Sequence, residues 1–155
     1  MPFYIIVSYF IVWFTIMALP AYLFYLIPKE WFKPNSFFFR ERKWEKGGKF
    51  YEKVFFIKKW KGFLPDGAAL FKGGFKKKKL KSLSKEYFSE FVLESCRAEA
   101  THIPPIFLSL LFAIYNPPYI VIIMVVFGMI VNLPCILAQR YNRIRLQRIL
   151  MRESK

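Results

Sequence analysis

A chain of 155 residues that is 55% hydrophobic, with nineteen phenylalanines, and that also carries a net charge of +15 does not read as a soluble domain. A small core has no room for so much apolar surface, whereas long lipid-facing runs joined by basic segments accommodate both properties. The length fits one module, residues 1–155. With no zinc-ligand spacing or helix-turn-helix pattern beside the charge, the expected partner is anionic membrane lipid and not nucleic acid.

The first element, residues 3–28, holds no charged side chain and is long enough to cross a bilayer, with Pro20 as a tolerated kink. A cleaved signal peptide is the competing reading. It lacks the usual positive leading region, since the charges follow the run, so a retained anchor with its N-terminus outside is expected. From Lys29 to Lys85 there are eighteen Lys/Arg against five Asp/Glu, punctuated by Pro34, Gly47, Gly48, Gly62, Pro65, Gly67, Gly73 and Gly74. Aromatics interleaved with these charges predict short amphipathic pieces at headgroup level, with basic side chains snorkelling toward phosphates.

A helix is predicted to begin after Ser84 as N-cap, with Glu86 in its first turn. It continues to Tyr115 with a bend near Pro104 and Pro105, so that residues 88–115 form a second span that is polar at its inner end. Asn116, Pro117 and Pro118 signal a turn, and residues 119–139 supply a third span interrupted by Asn132 and Pro134. The tail from Arg140 carries six Lys/Arg against one acid, so loop and tail both belong inside. The expected fold is an all-α integral membrane protein of three transmembrane helices with a basic, aromatic-rich cytoplasmic loop. Its multi-pass topology is N-out and C-in, in the bacterial cytoplasmic membrane.

Chemistry concentrates in Glu94 to His102. Glu99 and His102 share a helix face with Ser95, while Arg97 turns toward Glu94 and Glu90. His102 is the chain's single histidine, and imidazole titrates near neutrality. It can act as a base with Glu99 fixing its ring, or the two can form a packing-related bond; spacing alone leaves both open. Glu-x-x-His is also a di-iron helix spacing, but further ligands are lacking and no metal is expected. Asn132 offers donor and acceptor to a neighbouring helix, either to orient a carbonyl or to pair with His102. Arg140, Asn142 and Arg143 at the inner edge suit a phosphate or simple anchoring. Asp66, Lys72 and Lys76, beside Gly73 and Gly74, offer a second anion-attracting turn without a P-loop pattern. Cys96 and Cys135 imply neither a disulfide framework nor zinc.

In EKGGKFYEKVFFIKKWKGFLPDGAALFKGGF, CRAEATH and NLPCILAQRYNRIRLQRIL, taken with the order of the apolar segments, the chain resembles the bacterial glycosyl-4,4'-diaponeurosporenoate acyltransferases of thirty-carbon carotenoid synthesis. The resemblance implies transfer of a fatty acyl group from acyl-CoA, as co-substrate, to a sugar hydroxyl of a glycosylated carotenoid acid or related lipid acceptor, with no tightly bound cofactor. On the matching motifs, His102 is expected as base, Glu99 as its orienter, and Asn132 or Arg97 as stabiliser of the carbonyl oxygen. The basic loop and tail would receive the donor's phosphates through Lys72, Lys76, Arg140, Asn142 and Arg143, with Asp66 at the same turn.

Overall fold

The computed structural model describes residues 3–65, 82 and 84–153, and every regular element among them is helical. Helix α1, Phe3–Leu26, has mean hydropathy 2.0 over its most apolar stretch, of which only 11% is buried against protein. That exposure separates it from the core helix of a soluble protein, which would hide such a surface. Its two aliphatic hydroxyls are satisfied within the helix, Ser8 donating to the Ile5 carbonyl at 2.7 Å and Thr15 to Ile11 at 2.9 Å. Neither of these two is thereby left unsatisfied toward lipid.

Residues 28–65 form a chain of short pieces. Two are brief α-helices, α2 (Lys49–Val54) and α3 (Ile57–Trp60), and 3₁₀ turns lie at Lys29–Trp31, Lys43–Gly48 and Lys61–Phe63. Tyr51 and Ile57 from this arm pack with Ala138, Tyr141 and Ile144, which tethers it to the last helix. Gly47 and Gly48 make the approach possible. Both have positive φ, +70° and +89°, and a Cβ on Gly48 would lie 3.1 Å from the Tyr141 ring. Trp31, Phe38, Phe56 and Phe63 remain strongly exposed on the arm.

Helix α4, Lys85–Thr101, starts where Ser84 Oγ accepts from the Tyr87 backbone N–H at 3.2 Å, the expected cap. It stops at His102. Helix α5, Ile103–Leu108, then opens with Pro104 and Pro105 at positions where their missing N–H groups cost nothing, and a 3₁₀ stretch, Ser109–Ile114, follows. The bend expected near the prolines therefore falls one residue before the second helix begins. Helix α6, Pro118–Glu153, is a single 36-residue element that absorbs Pro134. At 1.5 Å per residue it is about 54 Å long, well over the ~30 Å of hydrocarbon, so its basic end extends beyond any membrane it crosses. The apolar run expected to end at residue 139 is thus the first half of a longer helix.

The side-chain contacts fix directions. Trp13 Nε1 donates to Met124 Sδ at 3.2 Å, Met17 meets Asn132, and Tyr25 lies over Arg97. Tyr9 bonds to Asn116, and Gly128 of α6 comes close enough to Trp13 and Ser109 that a Cβ would sit 3.2 and 3.5 Å from them. Helices α1 and α6 therefore run parallel, and α4, α5 and the 3₁₀ stretch run back between them. Small residues at such crossings are what helix packing in lipid selects. The N-terminal half of α4 buries Phe88, Phe91 and Val92 against Leu146 of α6.

Candidate active site

The polar interior lies where α4 ends, where α6 leaves its apolar run, and where the arm folds beneath them. Glu99, 4% exposed, shares its carboxylate between two arginines of α6: Arg140 Nη1 donates at 3.0 Å and Arg143 Nη1 donates to the other oxygen. Arg140 turns its remaining N–H groups to Glu45, with Nε at 2.6 Å and Nη2 at 3.2 Å, and to the carbonyls of Phe38 and Arg40. Arg143, fully buried, donates to the Phe39 carbonyl at 2.9 Å and lies over its ring. Glu45, also fully buried, takes further bonds from Tyr51 Oη at 2.5 Å and from the Arg42 backbone N–H. Two carboxylates thus face two guanidiniums. Such a buried pair is tolerable because nearly every lone pair and proton has a partner; Arg143 Nε and Ser95 Oγ are the exceptions near it.

About two turns further into the apolar run of α6, His102 Nδ1 meets Asn132 Oδ1 at 2.9 Å. Asn132 is fully buried, and its amide nitrogen donates to the Gly128 carbonyl at 2.9 Å, so the amide oxygen is the end turned to the imidazole. Nδ1 then carries the proton, and the basic lone pair of the neutral ring resides on Nε2. His102 stands at the α4–α5 break, where its own backbone N–H bonds back to the Glu99 and Ala100 carbonyls. The break aims the ring across at α6.

The other sequence candidates divide. Arg97 pairs with Glu94 at 2.7 Å and reaches the Tyr25 carbonyl at 3.5 Å, tying α4 to the end of α1. Glu90, the second acid expected to answer it, pairs with Lys29 instead. Asn142 accepts from Lys61 at 2.7 Å, and Lys61 rests over the Tyr141 ring. Burial pushes the Lys61 ammonium below its ordinary range, and repulsion from Lys58 and Arg145 adds to this. Asp66, Lys72 and Lys76 lie outside the described residues. Among the described residues no three His, Cys, Asp or Glu side chains converge to hold a metal, and Cys96 and Cys135 are free thiols.

A family model described as glycosyl-4,4'-diaponeurosporenoate acyltransferase matches residues 28–152, a stretch that includes every residue of this polar interior. The chain belongs to that family. Proteins of this name from Staphylococcus aureus strains bovine RF122 / ET3-1 and Newman are each 31% identical over 138 residues, 89% of this chain and 83% of theirs. No solved structure matches the chain. The family assignment makes this an acyltransferase of carotenoid biosynthesis, and the two apolar helices associate it with a membrane.

Within this diaponeurosporenoate acyltransferase fold, Glu45, Tyr51, Glu41 and Arg148 are the polar residues that sequence reasoning did not single out. Glu41 accepts from Arg148 at 2.7 Å and from the Gly47 N–H at 2.7 Å, at the outer rim of the charge cluster. The available signal was the scarcity of acids in the arm: each of its few carboxylates stands among many cations, and Glu45 immediately precedes the Lys46-Gly47-Gly48 turn.

Proposed function

We propose that the protein transfers a fatty acyl group from acyl-CoA to a sugar hydroxyl of a glycosylated thirty-carbon carotenoid acid, with His102 as general base. The observation that carries this reading is the His102–Asn132 contact, which holds the chain's one imidazole in a defined tautomer against the apolar half of α6. The hydroxyl oxygen attacks the thioester carbonyl carbon, the C–O bond forms, and the C–S bond breaks. The proton passes from the hydroxyl to Nε2 and from there to the departing thiolate. Asn132 is a positioning residue for the ring. Arg97, the cation on the α1 side of the same junction, is assigned to the negative charge developing on the carbonyl oxygen.

The Glu99–Arg140–Glu45–Arg143 cluster is internally neutral, so its part is to hold the α4–α5 break and the arm in place. The donor's phosphates belong instead to the outer surface of that cluster. There Lys58 and Arg145 repel Lys61 beside Asn142, Glu52 offsets this in part through its pair with Lys58, and an anion relieves the rest. Lys72 and Lys76, which lie in the same basic segment of the sequence, are assigned to the same phosphates.

The same reading has the chain cross the membrane three times, with the N-terminus outside and the arm and tail in the cytoplasm. Tyr9 through Tyr25 of α1, about 24 Å of helix, lie alongside Asn116 back to Arg97, which supports a crossing by the bent segment. The polar cluster then falls at the inner boundary, where a charged cytosolic donor and a lipid-borne acceptor meet. Reconstituted protein with labelled acyl-CoA and the glycosylated acceptor is expected to yield the ester. His102→Ala should lower turnover by about 10²–10⁴-fold with insertion intact; near-normal turnover by the purified variant would overturn the base assignment.

A further inference from the structure

An apolar groove of about 330 Å³ runs between α1 and α6, walled by Phe10 and Trp13 on one side and by Ile123, Met124 and Phe127 on the other. Trp13 sets its back wall, stacked edge-on against Phe127 at 4.9 Å and pinned to Met124 by its indole N–H. Four of the seven lining residues, Tyr9, Phe10, Trp13 and Phe127, are aromatic and offer flat surfaces to an extended π-system. The same crossing leads to the polar site. Met17, one turn along α1 from Trp13, touches the Asn132 amide at 3.6 Å, and nine residues of α6, about 14 Å of helix, separate Ile123 from Asn132.

We propose that this groove seats the polyene tail of the glycosylated acceptor, placing its sugar at His102. This rests on the acyl-transfer reading above. A conjugated chain is flat and stiff, so it loses little conformational entropy on entering a preformed slot and gains dispersion against aromatic walls. The sugar, the acceptor's only large polar group, is then placed at the level of His102 and Asn132, beyond Ser109, whose hydroxyl donates to the Ile106 carbonyl of its own segment. The donor's chain is attached to a phosphate-bearing head that the basic inner surface holds, so it enters from the opposite end.

The test compares two acceptors, glycosyl-4,4'-diaponeurosporenoate and octyl glucoside, in wild type and in Ile123→Trp. Ile123 is 57% exposed, so a larger side chain fills the groove without entering a packed core. Val126→Trp, on the same helix turn but outside the groove, is the control. Expected is a KM for the polyene glycoside raised about tenfold in Ile123→Trp, with octyl glucoside kinetics and the Val126→Trp enzyme unchanged. An unchanged KM for the polyene glycoside, or equal losses with both acceptors, overturns the proposal. So does a shift in preferred acyl chain length of the donor, which would make the groove the donor's. Retention of the coloured glycoside on detergent-purified protein is measured in parallel. If wild type retains it, Ile123→Trp does not, and neither esterifies it, acyl transfer fails while the groove assignment stands.

Discussion

Replacing Glu45 by Gln keeps the side chain's volume and removes its charge at a point with no access to solvent. Every group around that carboxylate is a donor: Arg140 Nε and Nη2, Tyr51 Oη and the Arg42 backbone N–H. A glutamine must turn an NH₂ toward at least one of them, and it leaves Arg140 and Arg143 facing Glu99 alone. Removing one partner of a buried, hydrogen-bonded ion pair costs about 3–5 kcal/mol, because the remaining charge stays buried without its counter-ion. Glu41→Gln is the internal control. Its pair with Arg148 is half-exposed, so the expected loss is below about 1 kcal/mol. Chemical unfolding of both variants in the same detergent measures the difference, and proteolysis within residues 38–48 should accelerate in Glu45→Gln only. Equal losses in the two variants, or a loss under about 1 kcal/mol in Glu45→Gln, would refute the view that this cluster fastens the arm to α6.

The same contacts set a pH dependence. Burial pushes the Glu45 carboxyl up, but hydrogen bonds from Arg140, Tyr51 and the Arg42 amide outweigh it and hold the group below its ordinary value of 4.5. The stability it confers is therefore complete above the ordinary carboxylate range and drains away as pH falls through the lowered native value. Burial, then the Glu45 carboxylate, raise the Tyr51 phenol, so the native state keeps a proton that the unfolded chain releases near pH 10 and stability falls above that point. Unfolding midpoints across pH should show both edges, and Tyr51→Phe should lessen the alkaline one, to which the raised Tyr141 phenol also contributes. Gly48→Ala should cost about 1–2 kcal/mol from its left-handed backbone alone, with the Tyr141 ring adding to it. Gly62→Ala, where a Cβ meets nothing, should stay within about 0.5 kcal/mol by the same unfolding assay. Gly128→Leu should lower stability by about 1–3 kcal/mol and shift tryptophan emission, because the added side chain drives Trp13 and Ser109 away from α6.

What the sequence displays, and what it conceals, follows from the range of each interaction. The first and last apolar runs, the Ser84 cap and the break ahead of Pro104 are written in neighbouring residues and are found where expected. The continuation of α6 to Glu153 was harder to see, since the hydropathy change at Arg140 marks the end of the lipid-facing surface and not of the helix. Asn132 could be matched to His102 because polar groups in apolar runs are few and must find one another. Glu45 offered no such economy. It lies 95 residues from Arg140 in a segment crowded with lysines, and nothing local distinguishes a carboxylate destined for burial from one solvated beside a cation. The two arginines show the same ambiguity from the other side. At an inner membrane boundary a guanidinium suits a phosphate, a carboxylate or a headgroup equally well, and only the folding of the arm beneath α6 brings Glu45 and the carbonyls of residues 38–40 to Arg140 and Arg143. An acid in a basic arm, followed by a glycine pair that lets the backbone approach a helix, is the pattern that points to such a fastening, and in this chain it falls at Glu45, Gly47 and Gly48.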